Sequence, residues 1–218
     1  MSQLFELDVS LTEERRVPVD AGDVDFIPTE RIHGLRALMN ETDGPVTVYI
    51  RHKAAIYLTE WGYADGVEYI ATEVRKSVED RVGAFDHRLR GYDITLELFM
   101  RALMGYRVRK CSQGEKDETA RRLIRPIVKA IIEIACEESF EIRDVFYAEV
   151  GDDYEEWYDE RLIDDPAVFQ RYLIAMLDQK DDRRQGYKPQ DAVKFFERYD
   201  PEFLKQELLS RGLTKEDV

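Results

Sequence analysis

The order of hydrophobic and polar residues divides the chain into a short β-type segment and a long helical remainder. Over residues 4–12, apolar side chains alternate with polar ones, which is the two-residue period of a β-strand. Two short apolar runs then flank the turn-forming residues 21–23. Residues 1–28 are therefore predicted to form a short N-terminal β-hairpin or β arm, which either docks on helices or pairs with another chain.

After Pro28, apolar residues recur every three or four positions, which is the period of an amphipathic α-helix. The pairs Asp165-Pro166 and Asp200-Pro201 each place a carboxylate before a proline, a strong signal for the start of a helix. Gly212 is expected to end the last helix. The fold is thus predicted to be mainly α, a multi-helix bundle with the short N-terminal β element.

The longest predicted helix begins near residue 116 and reaches residue 140. Its apolar side chains fall in one sector of the helix and form the inner face: Leu123, Ile124, Ile127, Val128, Ile131, Ile134 and Ala135. Arg121, Arg122, Arg125 and Lys129 fall in a second sector, as a basic stripe. Pro126 lies on this polar side, and because it removes one backbone hydrogen bond we expect a kink or a restart of the helix there.

Residues 105–114, with the sequence GYRVRKCSQG, are the most loop-like stretch and the best candidate for a hinge. The predicted organisation is an N-terminal β arm over 1–28, a helical subdomain over 29–105, a loop or hinge over 106–114 and a second helical subdomain over 115–218. One continuous domain over 29–218 is the alternative.

Composition limits the class of protein. With 218 residues, 44% hydrophobic and 36% charged, the chain is typical of a globular protein. No apolar run approaches the roughly 20 residues that span a bilayer, and the N-terminus has no signal-peptide pattern. The two cysteines do not form a metal-type pair, so we expect a cytoplasmic protein without a cofactor. A net charge of −14 argues against a surface that coats nucleic acid or an anionic membrane.

Charge changes sign sharply along the chain. Residues 101–129 hold nine basic and three acidic side chains, whereas residues 137–165 hold thirteen acidic and two basic ones. Opposite patches of this kind can join neighbouring copies, and they can also pair within one molecule. The candidate basic patch consists of Arg107, Arg109, Lys110, Arg121, Arg122, Arg125 and Lys129. The candidate acidic and aromatic patch consists of Asp153, Tyr154, Glu156, Trp157, Tyr158 and Glu160.

These features favour a non-enzymatic protein that acts by protein–protein contact. The β arm has no sheet of its own, the two patches are complementary, and no coherent set of catalytic residues accompanies them. The expected partner is a second copy of the chain or a larger assembly. The protein would then be an adaptor or a structural component, for example of a viral particle.

The alternative is an all-helical nucleic-acid-binding protein or ribonuclease. Arg81 and His87, with five residues between them, resemble the loosely spaced Arg–His pair of a helical ribonuclease family. The resemblance implies that these two side chains are catalytic. The basic segment 101–129 would then hold the phosphates.

A metal site is not predicted. Glu30 and His33 lie one helical turn apart, as in helical di-iron proteins, but those sites need a second such pair and two further glutamates. The sequence does not supply them. His33 and His52 are therefore expected at the surface or at the edge of a helix.

Overall fold

The computed structural model describes residues 27–41, 47–77, 80, 81, 83–85, 92–150 and 161–218. Within these residues the chain forms nine α-helices and no β-strand, which confirms the mainly α bundle. The predicted β arm lies outside the described residues, apart from Ile27 and Pro28.

The helices are named α1 to α9 in chain order. They are α1 Thr29–Asn40, α2 Val48–Glu60, α3 Ala64–Val74, α4 Thr95–Ser112, α5 Asp117–Ala135, α6 Arg143–Val150, α7 Pro166–Asp178, α8 Lys188–Tyr199 and α9 Pro201–Ser210. Short 3₁₀ turns lie at Arg183–Gln185 and Lys215–Asp217.

Three predicted helix boundaries are confirmed by their hydrogen bonds. The carboxylate of Asp165 accepts from the backbone N–H of Ala167 at 3.1 Å at the start of α7. Asp200 does the same for Phe203 at 3.1 Å at the start of α9. Gly212 ends α9 with a φ of +64°, a left-handed conformation that glycine adopts without strain.

The loop or hinge predicted at 106–114 is wrong over most of its length, because α4 continues as far as Ser112. Its polar composition conceals an inner face, on which Tyr106 and Arg107 are buried. Only residues 113–116 connect α4 to α5, and Gly114 makes the turn with a φ of +77°. The hydrophobic core contains residues from both sides of this connection. The split into two subdomains and the alternative of one domain over 29–218 both stay predictions.

Pro126 lies within α5, which runs without interruption from Asp117 to Ala135. The predicted restart of the helix is therefore not observed. The proline is exposed, so its ring lies on the solvent side of α5 and not in the core.

The central helices are α4 and α5. α4 packs against α2, α3, α5 and α6, while α5 packs against α3, α4 and α7. Leu103 on α4 and Ile124 on α5 have no exposed surface. On the other side of this pair, α6, α7 and α8 share an aromatic cluster in which the rings of Phe146 and Phe195 stack at 4.3 Å. This cluster fixes α6 against α8, where the candidate surface described below lies.

Candidate interaction surface and buried charges

Arg107 of the predicted basic patch is a core residue. Its side chain is fully buried and donates two hydrogen bonds of 2.6 Å to the two carboxylate oxygens of Asp117. Because Arg107 lies near the end of α4 and Asp117 begins α5, this ion pair holds the two central helices together. It cannot contact a partner protein.

The basic stripe of α5 binds residues 161–165, a non-helical segment that we call the strap. Arg121 donates to the carbonyl of Arg161 at 2.9 Å, and Arg125 donates to that of Leu162 at 2.8 Å. Arg125 also pairs with Asp164 at 2.5 Å, and Lys129 lies 3.5 Å from Asp165. Successive residues of the stripe thus hold successive residues of the strap.

The remaining patch residues are also placed by contacts inside the molecule, with one exception. Arg109 is buried, and Lys110 donates to Glu115 at 2.8 Å. Arg122 is exposed. The prediction of an open basic patch is thus corrected: most of its charges are buried or pair within the molecule, the second of the two arrangements that the sequence allowed. A binding role for Arg122 stays a prediction.

The candidate acidic and aromatic patch lies outside the described residues, as does His87. Arg81 is described, and its guanidinium donates to the carboxylate of Glu138. It lines a cavity of about 90 Å³ together with His52, Glu73, Asp93, Thr95, Leu96, Phe99 and Glu138. Three carboxylates, Glu73, Asp93 and Glu138, thus line the cavity beside Arg81, and two of them are already paired, Glu73 with Lys76 and Glu138 with Arg81. A catalytic role for Arg81 stays a prediction.

His52 is buried, so its predicted surface position is wrong. Its Nδ1 lies 3.0 Å from the hydroxyl of Tyr69, and its ring meets Phe99 edge-on at 5.1 Å. Burial raises the pKa of Tyr69 to about 12, so this hydroxyl stays protonated at neutral pH. The His52–Tyr69 pair is therefore a hydrogen-bonded contact in the core between α2 and α3.

Two exposed tyrosines face one groove between α6 and α8, and sequence reasoning missed both. Tyr147 is 65% exposed and Tyr187 is 63% exposed. The groove encloses about 550 Å³ and is lined by Arg143, Tyr147, Tyr187, Gln190, Asp191 and Lys194. No sequence signal separates Tyr147 from its buried neighbour Phe146, because exposure here depends on the surface that α8 leaves uncovered.

The lining of this groove carries two basic side chains, Arg143 and Lys194, and one acidic one, Asp191. Arg143 donates to Asp191 at 3.0 Å and to Glu141, which is not part of the lining, at 3.2 Å, and Lys194 is exposed. The groove is thus not acidic, on a chain whose net charge is −14.

Two buried titratable groups, Lys188 and Glu149, are not part of the groove lining. Lys188 donates to the carbonyls of Ala135 at 3.0 Å and Glu138 at 2.7 Å, where α5 ends. Burial lowers the pKa of Lys188 to about 8. Glu149, at the end of α6, accepts from the backbone N–H of Ile163 in the strap at 2.9 Å. Burial raises the pKa of Glu149 to about 7.

Comparisons of the chain with protein-family models, with curated proteins and with solved structures give no match. In the described part of the chain, no cluster of three or more histidine, cysteine or carboxylate side chains is placed to hold a metal ion. Nor does any described helix have the length and apolar character needed to cross a membrane.

Proposed function

We propose that the protein acts by protein–protein contact and that it associates with a second copy of itself through the groove between α6 and α8. The observation that carries the proposal is the presence of Tyr147 and Tyr187, both largely exposed, on this one concave surface. Tyrosine and arginine dominate the binding energy of protein interfaces because they bury a large apolar area and also form hydrogen bonds.

The charge of the groove favours a second copy as the partner. Two chains of charge −14 repel each other, so they approach most easily at a surface that is not acidic, and the lining of the groove carries two basic side chains and one acidic one. A two-fold contact also needs a patch that complements itself. In such a contact, Arg143 and Lys194 of one copy can face Asp191 of the other.

The solution mass measured by light scattering over a range of concentrations tests this function. We expect a dimer for the full chain and a monomer for the double variant Tyr147→Ala, Tyr187→Ala. Each tyrosine should contribute about tenfold in affinity. The matched control is Leu209→Ala on α9, which removes a 69% exposed apolar side chain outside the groove and should leave the dimer intact.

Salt distinguishes this contact from pairing between opposite charge patches. Raising the salt from about 0.05 M to about 0.5 M screens the repulsion between two acidic chains, so dimers made through the groove should persist or strengthen. Pairing between a basic and an acidic patch would instead weaken. A monomer at every concentration and salt would refute self-association.

A further inference from the structure

The contact between Glu149 and the strap joins the end of α6 to a non-helical segment. Glu149 is 1% exposed, and one of its oxygens accepts from the N–H of Ile163. The other oxygen has no hydrogen-bond partner in the structure. Leu162 and Ile163 are also buried, so the strap covers the carboxyl group.

We propose that Glu149 makes closure of the strap sensitive to pH: the strap closes over the protonated carboxyl group, and loss of the proton favours its local opening. An ionised carboxylate with one oxygen unpartnered is costly to bury. Opening residues 161–165 admits water to that oxygen. Arg121 and Arg125 on α5 donate to carbonyls of the strap and not to that oxygen.

Among the described residues, the charged and titratable groups around Glu149 come from three elements. The backbone N–H groups of Ile163 and Leu162, together with Arg107 on α4 and Arg161 in the strap, favour the ionised form. Tyr199 on α8 is a neutral neighbour whose own pKa is raised by burial. Arg107 is already bound to Asp117 by two hydrogen bonds. Desolvation is therefore the largest influence and raises the pKa of Glu149 from its ordinary 4.5 to about 7.

The direction of the effect follows from proton binding. With the strap closed the carboxyl group holds its proton up to about pH 7, and once exposed to water it releases the proton near 4.5. The closed form thus binds protons more tightly, and rising pH favours the open form. The open population should therefore increase about tenfold for each pH unit between 4.5 and 7 and level off above 7, where both forms are ionised, so that the whole change is about 300-fold.

Hydrogen exchange of the full chain tests the proposal between about pH 5.5 and pH 8.5. The rates at Leu162 and Ile163 are divided by the intrinsic rates at each pH, which gives protection factors. In the wild type these should fall about tenfold per pH unit from pH 5.5 and level off above pH 7. In Glu149→Gln, which keeps an acceptor oxygen but carries no titratable proton, they should stay constant within about twofold.

Glu97→Gln is the matched control, since Glu97 on α4 is another partly buried acid with a raised pKa, caused first by burial, and it lies away from the strap. This variant should retain the wild-type pH dependence at Leu162 and Ile163. Protection that does not change with pH in the wild type would overturn the proposal, as would an equal decline in Glu149→Gln. A parallel loss at Ile124 in the core would also overturn it, because that result indicates unfolding of the whole chain.

Discussion

The two nitrogens of Arg107 that face Asp117 each lie 2.6 Å from a carboxylate oxygen, and the arginine side chain has no contact with solvent. The energy of such a buried pair depends on both partners being present. Either charge alone would be buried without a compensating charge, whereas the two together largely neutralise each other.

Removal of one partner should therefore be severe. We expect Arg107→Met to lower the free energy of unfolding by about 3–5 kcal/mol, because it leaves Asp117 buried without its partner. Denaturant titration measures the change. The double variant Arg107→Met, Asp117→Leu should recover most of the loss.

The control for this ion pair is Arg101→Ala on the same helix. Arg101 is 56% exposed and pairs with Asp144 at the surface, so its loss should change stability by less than about 1 kcal/mol. Equal effects of Arg107→Met and Arg101→Ala would contradict the role given to the buried pair.

The start of α9 gives a second prediction. Asp200→Ala removes the side chain that accepts from the N–H of Phe203, and should cost about 1 kcal/mol of unfolding free energy. Asp200→Asn keeps an acceptor oxygen and should cost much less. Thermal unfolding of both variants checks the difference, and a similar loss in both would show that the lost charge, and not the hydrogen bond, is responsible.

Helix starts such as Asp200-Pro201 were predictable because their signal is local: the carboxylate and the N–H that it satisfies lie three residues apart. The burial of Arg107 and His52 was not predictable in this way. Each depends on a partner that the fold brings close, Asp117 for the arginine and Tyr69 for the histidine. A basic residue in a polar stretch gives no sign of its burial until that partner is known.

The candidate surface illustrates the same limit at a larger scale. The charge changes sign between residues 101–129 and 137–165 of the sequence. In the described residues, however, basic side chains of the first segment bind the strap within the same molecule, as Arg125 does with Leu162 and Asp164. The groove of Tyr147 and Tyr187 arises from the packing of α6 on α8, and no periodicity along the chain encodes which tyrosine remains uncovered.

Lys188 gives a pH-dependent prediction. Burial lowers its pKa from 10.5 to about 8, so between these values the unfolded chain binds more protons than the folded one. Stability from this group therefore rises as the pH increases from 8 to 10.5. The wild type should gain up to about 3 kcal/mol over this window relative to Lys188→Met, in which the titrating amine is absent.

The measurement is the difference in unfolding free energy between the chain with Lys188 and Lys188→Met at each pH, made with Cys136→Ala in both, because burial raises the pKa of the Cys136 thiol and Lys188 in turn lowers it. Lys188→Met also removes the hydrogen bonds to Ala135 and Glu138, but that loss is the same at every pH. A difference that stays constant from pH 8 to pH 10.5 would show that the amine is solvated in the folded protein.

Arg125 and Arg122 provide a direct comparison within the basic stripe of α5. Arg125 donates to the carbonyl of Leu162 and pairs with Asp164, whereas Arg122 is exposed. We expect Arg125→Ala to lower the free energy of unfolding by about 1–3 kcal/mol, because the carbonyl of a buried residue loses its donor. Arg122→Ala should stay within about 0.5 kcal/mol of the wild type.

An open basic patch predicts the opposite pattern, in which both variants are as stable as the wild type and both weaken binding to a polyanion such as heparin in a salt-dependent way. Denaturation and heparin retention measured on the same two variants therefore separate a stripe that holds the strap from a stripe that binds a partner.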